Sequence, residues 1–229
     1  MKALFRYVLL DPLVAALQFL YNFITFRDLG AAIIVLTIIV RLVLYPLFHK
    51  SLKQQAKLRV IQPHVKRIQE AHKHDREAQG RALLALYKEH GVNPLGSFML
   101  LLVQLPILIA LYQVFLYLPE GLNTSFLSLI NLHERSIIIV GIAAALQYFL
   151  GVISTGEKGD PNNPSFQIAR NMIIIGPLIT VLVLYSLPAA VGLYWITTTA
   201  FSIIQQMYIN KYHGTDTANH PKIIGDSRP

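Results

Sequence analysis

A single guanidinium, Arg41, stands inside the apolar run from Leu29 to Phe48, with Thr37 four residues before it and Tyr45 four after. That spacing stacks all three on one face of a helix. A cation well inside hydrocarbon costs about 2.5–3.5 kcal/mol on insertion scales, so it needs water, an anionic partner or a function. At roughly 1.5 Å per residue, Arg41 lies about 10 Å from the Phe48 end, inside one leaflet. Snorkelling to the nearer interface would satisfy it. So would a hydrated, positively charged cavity open to one side of a membrane, and such a cavity attracts acidic groups. A second polar stripe runs through Trp195, Thr198, Thr199, Ser202 and Gln206, and Gln104, Gln113 and Gln147 add amides on other apolar segments. Groups of this kind either bond between helices, at ~0.6 kcal/mol per pair, or wall a wet groove. Two stripes and an unpaired arginine favour the groove. Trp195 also fits an interfacial anchor.

Other chemistry is not encoded in recognisable form. The chain has no His-Glu-x-x-His pair, no Gly-x-Ser-x-Gly elbow, no phosphate-cradling glycine loop and no paired carboxylates in an apolar segment. His64, His72, His74 and His90 fall in a basic loop, where exposed histidines are ordinarily surface. With no cysteine, disulfides, thiolate metal sites and cysteine nucleophiles are excluded. No catalytic residue, metal or cofactor is expected, and an enzyme is not.

These side chains must be held by membrane-spanning helices. Of 229 residues, 54% are hydrophobic and only 14% charged, with a mean hydropathy of +0.48; soluble domains carry about 25% charged residues. The expected fold is all-α, a polytopic membrane protein with five transmembrane helices: Leu29–Phe48, Ser97 to about Tyr117, Ser136–Ser154, Met172–Leu187 and about Ala190–Ile209. Arg41 is the only charge within them. Pro188 and small residues leave only a tight turn between the last two. Pro106 and Pro177 bend spans without breaking them where neighbours satisfy the freed carbonyls.

Charge sets the orientation. Lys50, Lys53, Lys57, Arg59, Lys66, Arg67, Lys73, Arg76, Arg81 and Lys88 lie between the first two spans, opposed only by Glu70, Asp75, Glu77 and Glu89. The loop from Leu118 to Arg135 has one basic residue. The positive-inside rule puts the basic loop in the cytoplasm, together with the loop Thr155–Asn171 and the tail from Lys211. Arg41 then lies in the cytoplasmic leaflet and the N-terminus outside.

Residues 1–28 form an N-terminal segment in which Leu13, Leu17, Leu20 and Ile24 recur at helical spacing after Asp11-Pro12. This reads as an amphipathic helix in the outer interface; a signal peptide or a short sixth span are the alternatives. Within the core of residues 29–209, residues 49–95 read as a cytoplasmic basic helical hairpin. One stripe there is Leu52, Ala56, Val60, Ile61, Val65 and Ile68, the other Ala82, Leu83, Leu86 and Tyr87, and His72–Glu77 is the turn. Pro63 is expected to bend or interrupt the first helix. Residues 210–229 are a short cytoplasmic tail.

The order and spacing of several stretches resemble the YidC-type membrane protein insertases (the YidC/Oxa/Alb family). They are VRLVLYPLFHKSLKQQ from Val40, IQPHVKRIQE from Ile61, ALYKEHGVNPLGSF from Ala85, LLVQLPILIALYQVF from Leu101, GDPNN from Gly159 and GLYWITTTAFSIIQQMYINK from Gly192. The resemblance covers nearly everything from Gly30 to Lys211. It implies five core helices around a groove open to the cytoplasm and lipid, closed on the outer side, in which Arg41 is the groove arginine. It matches Gln147 and Trp195 to groove-lining positions, and Thr37 and Tyr194 to motif neighbours. Gln104, Thr198 and Ser202 join them as substrate-binding candidates. The implied function is a membrane protein insertase and chaperone of the bacterial plasma membrane, with nascent membrane proteins and the bilayer as partners and no cofactor. The ribosome and the Sec translocon are further partners it suggests. The sequence has neither the N-terminal cysteine of lipoprotein-type members nor a large extracytoplasmic domain, so a short form without a lipid anchor is expected. Its few basic residues after Lys211 argue against strong ribosome tethering by the tail.

Two other functions fit the polar spans. A small-solute transporter or channel would use Arg41 as an anion site, and a non-catalytic assembly subunit would pair it with another protein's acid. Transporters commonly show repeats that this sequence lacks.

Overall fold

The structure, a computed structural model, describes residues 5–93, 96–116, 123–155 and 164–213. The GDPNN stretch, the tail beyond residue 213 and the Tyr117 end of the second expected span lie outside them. The fold is helical, with one small β pair.

A π-type turn, Arg6–Leu10, leads into α1, Asp11–Phe23. Pro12 has no N–H for the carbonyl of Val8, and the regular helix starts there. Leu13, Leu17, Leu20 and Tyr21 form the buried face. The expected stripe thus holds except at its end, where Ile24 lies outside the helix and exposed while Tyr21 takes the inner position. A short turn leads to α2, Leu29–Val43. Asp28 caps α2, its Oδ1 accepting from the Ala31 N–H at 2.8 Å.

The first expected span is not one straight helix. The chain breaks at Leu44, and α3, Tyr45–Ala71, leaves at 67° to α2. Pro46 explains the break. In a continuous helix its ring would collide with the Leu42 carbonyl, whereas in the first turn of a new helix its missing N–H is not needed. Tyr45 therefore leaves the face shared by Thr37 and Arg41, and its ring stacks on His49 at 5.5 Å.

α3 runs unbroken through Pro63 and turns back into α4, Arg76–Glu89. Asp75 Oδ1 caps α4 by accepting from the N–H groups of Glu77 and Ala78. Ile61 and Val65 bury against Leu86 and Val92, with Leu58, Ile68, Leu83 and Tyr87 around them. Val60, expected in the stripe, faces out. Gly91, with φ of +58°, closes α4 in the left-handed conformation that favours glycine.

The remaining helices are α5, Gly96–Leu116; α6, Ile137–Thr155; α7, Pro164–Leu184; and α8, Ala189–His213. α7 begins eight residues before the expected Met172, because Pro164 starts a helix well and its polar first turns hide it from hydropathy. Strands β1, Ser125–Phe126, and β2, Ile130–Asn131, pair antiparallel in the loop after α5. Two-residue strands are too short for any alternation to announce them.

α6 packs on α7 and α8, and α2 on α8 and α1. The core gathers Leu17, Ile33, Leu111, Ala143, Val191 and Leu193 from five helices. A Cβ on Gly192 would overlap the Ile139 side chain, and one on Gly30 the Phe126 ring, so both glycines permit close approach. The α7–α8 turn is tied to the loop before α6, with Ala189 N–H donating to the Glu134 carbonyl and Ala190 N–H to that of Leu132.

Large apolar side chains cover the outside: Ile39, Leu42 and Val43 on α2, Ile138, Ile142 and Phe149 on α6, Ile174, Leu178 and Leu182 on α7. Water-soluble monomers rarely expose contiguous apolar surface on this scale; lipid is the solvent it suits. Among the described residues, α6 alone is long and apolar enough to cross a bilayer, and α2 with the first part of α3 qualifies if taken together. Gln104–Phe115 and Arg170–Leu184 are shorter apolar stretches.

Candidate functional site

Arg41 occupies the last turn of α2, where the helix carbonyls concentrate partial negative charge that favours a cation. The residue is 6% exposed. Its guanidinium lies over the Phe48 ring, 4.3 Å from the centroid, because the bend at Leu44 swings the start of α3 beneath it. No carboxylate pairs with it among the described residues, and its Nη1 is buried without a hydrogen-bond partner there. A cation with unused donors is thus held at the wall of a cavity.

That cavity, about 260 Å³, is lined by Arg41, Phe48, Gln104, Gln147, Leu150, Trp195, Thr198, Thr199 and Ser202. Four of the lining residues come from α8 at i, i+3, i+4 and i+7, one face of one helix. Ser202 Oγ donates to the Thr198 carbonyl at 3.0 Å, which leaves the hydroxyl's lone pairs as acceptors. The Gln147 side chain lies against Gly176 of α7. The walls therefore offer amide donors and acceptors, hydroxyl acceptors and one indole around a fixed positive charge. Such a surface suits an extended polar segment better than a single small anion.

Of the expected residues, Arg41, Gln104, Gln147, Trp195, Thr198 and Ser202 come together here. Tyr194 sits behind the wall, buried, its hydroxyl accepting from Gln104 Nε2 at 2.6 Å. This bond leaves the Gln104 carbonyl oxygen available. Thr37 is buried and does not line the cavity; its hydroxyl donates to the Ile33 carbonyl of its own helix. Gln206 likewise turns away and donates to Asn210 Oδ1. Phe48 and Leu150 were not expected. For Phe48 the signal was Pro46, which forces the bend that brings the ring under Arg41. Leu150 gave no signal beyond lying three residues from Gln147.

The family described as 60Kd inner membrane protein matches residues 19–216. A membrane protein insertase YidC of Geobacter sulfurreducens is 31% identical over 217 residues, 92% of this chain and 39% of that protein. One from Francisella tularensis subsp. novicida is 36% identical over 197 residues, 84% of this chain and 34% of the relative. The chain thus spans well under half the length of these relatives. Among solved structures, an active YidC insertase crystal structure with the first transmembrane domain resolved is similar with a TM-score of 0.68 at 29% identity, over 89% of this chain and 46% of that one. The chain belongs to the YidC-type insertase family of 60Kd inner membrane proteins.

Proposed function

We propose that this chain is a membrane protein insertase and chaperone that receives hydrophobic segments in a cytoplasm-open polar groove and releases them sideways into lipid. The observation that carries this reading is Arg41, buried and without a carboxylate partner among the described residues, at a cavity walled by Gln104, Gln147, Trp195, Thr198 and Ser202. An incoming apolar segment brings a short polar flank, often acidic, that has to cross the membrane. At 4 Å, opposite charges attract by about 4 kcal/mol at an effective dielectric of 20, against about 1 kcal/mol in water. Arg41 thereby gives an acidic flank a temporary partner. Hydroxyls and amides on the walls reduce its desolvation. The apolar segment then leaves between helices for lipid, where burial is favoured by about 25 cal/mol per Å². The attraction is moderate, so the flank can move on.

In this reading five core helices span a bacterial plasma membrane, counted with α2 and the start of α3 as the first. The basic α3–α4 hairpin and the C-terminus face the cytoplasm, and α1 lies in the outer interface. The hairpin's lysines and arginines are available to nascent chains, acidic headgroups or ribosomal RNA, and the Sec translocon is a further candidate partner. The chemistry requires no cofactor.

Photo-crosslinking tests the groove. A photoreactive residue at Ser202 should trap the polar flank of a stalled client, while one at Leu178 on the lipid-facing side of α7 should trap lipid or the apolar segment. Equal trapping of the flank from both positions would contradict a groove.

A further inference from the structure

The turn between α1 and α2 and the turn between β1 and β2 meet at one corner of the molecule. Asp28 joins them, its Oδ2 accepting from the Leu127 N–H at 2.8 Å while Oδ1 caps α2. Thr25 braces the first turn through its hydroxyl, which lies 3.2 and 3.0 Å from the carbonyls of Leu20 and Asp28. The Arg27 N–H adds a bond to the Tyr21 carbonyl. Tyr21 in turn accepts from the Asn123 N–H. The corner is tied to the core from both sides.

What it presents is unusual for a turn. Phe26 is 99% exposed, Leu129 83% and Leu127 63%. Phe26, Arg27, Leu127 and Ser128 have φ of 52°, 64°, 52° and 58°, a region that turns in water ordinarily give to Gly, Asn or Asp. Bulky apolar residues at these positions are disfavoured locally and useless to the core. The apolar surface continues along α1 through Phe23 and Phe19, whose rings lie 5.3 Å apart, and the exposed Ile137 and Ile138 open α6.

Arg27 is exposed beside Phe26 and pairs with no carboxylate among the described residues; the oxygens of neighbouring Asp28 accept from the backbone N–H groups of Ala31 and Leu127. With α2 entering the membrane from outside, this arginine also stands on the side that the positive-inside rule leaves poor in basic residues. An exposed cation flanked by apolar tips matches one solvent boundary, that between phosphate and acyl chains.

We propose that this corner seats in the outer phospholipid leaflet, with Phe26, Leu127 and Leu129 among the acyl chains and Arg27 on a lipid phosphate. The proposal rests on the membrane-spanning reading and on α2 starting outside. It gives the corner a task. Arg41 stands 12 positions after Leu29, roughly 18 Å along the helix. In a hydrocarbon core of about 30 Å, a corner fixed at the outer boundary holds Arg41 about 12 Å from the cytoplasmic one. The lipid seat sets the depth of the groove's charge.

The chain has no cysteine, so single cysteines at Phe26, Leu129 and, on the lipid-facing side of α7, Leu178 can each carry a nitroxide. The full chain is reconstituted in phosphatidylcholine vesicles containing phosphatidylglycerol, and collision rates with oxygen and with a water-soluble nickel chelate are compared. The labels at 26 and 129 are expected to favour oxygen severalfold, as the label at 178 does. In the Arg27→Gln background the ratio at 129 should fall about twofold. Corner labels that favour nickel while the label at 178 favours oxygen would overturn the proposal and leave the membrane reading intact. Corner labels shielded from both reagents would overturn it in favour of a protein partner. An unchanged ratio in Arg27→Gln would overturn the phosphate contact. Nickel preference at all three positions would defeat the membrane reading itself.

Discussion

Methionine at position 41 keeps most of the length of the arginine side chain and removes its charge and donors. The structure sets two opposing contributions. A charged side chain placed in a membrane helix costs about 2.5–3.5 kcal/mol at the centre; in the proposed membrane placement Arg41 lies off-centre at a polar cavity, so about 2 kcal/mol is the appropriate scale. Its position over Phe48 at 4.3 Å returns about 0.5–2 kcal/mol, the upper end for a desolvated pair, and its place in the last turn of α2 about 0.3–1 kcal/mol. The balance leaves Arg41→Met within about 1 kcal/mol of the parent, a change in Tm of no more than about 4 °C for a chain of this size. Thermal unfolding in detergent micelles, followed beside client insertion, should find the variant about as stable as the parent and less active. A fall in Tm of about 6 °C or more would refute the reasoning, because it would make Arg41 a member of the packed structure that the fold needs.

Two further substitutions test the framework around the site. Asp28→Ala removes both the cap of α2 and the bond to Leu127, and should cost about 1–2 kcal/mol, with Asp28→Asn milder because the amide oxygen still caps; paired thermal melts check the order. Gly192→Val places a branched side chain where Ile139 already sits, and should destabilise by about 1–3 kcal/mol, partly restored when Ile139→Ala is added; a double-mutant cycle with near-zero coupling would contradict the close α6–α8 approach.

Much of the site was legible because its signals are local. A lone arginine in an apolar run stands out by composition, and Trp195, Thr198, Thr199 and Ser202 announce a single face through their spacing. α6 and α8 matched expectation within a residue at their starts because their sequences are uniformly apolar or periodic there. What escaped depends on where one element ends or on what lies opposite it. Pro46 signals the break at Leu44, yet hydropathy runs smoothly across it, so spacing alone puts Tyr45 on the Arg41 face and hides Phe48 as the ring beneath Arg41. Thr37 has the right spacing, but its hydroxyl is satisfied by its own helix; spacing reports a face and not whether the face meets a neighbour or a cavity. The pairing of Gln104 with Tyr194 joins residues 90 positions apart, which no periodicity can encode. Asp28 is a case in which the signal was present, an Asp directly before a helical apolar run, and its second role, holding the β-turn, was not.

Arg41 as the charge that receives an acidic flank is tested most directly by insertion into proteoliposomes. The client is a short single-span protein with an acidic translocated flank, and protease protection of the flank is compared among the parent, Arg41→Ala and Arg41→Lys, each checked for folding. The account predicts that protection is lost in Arg41→Ala and largely kept in Arg41→Lys, since the lysine retains the charge at nearly the same depth. Equal protection in all three would contradict it, leaving the hydration and polarity of the groove walls to explain insertion without the arginine.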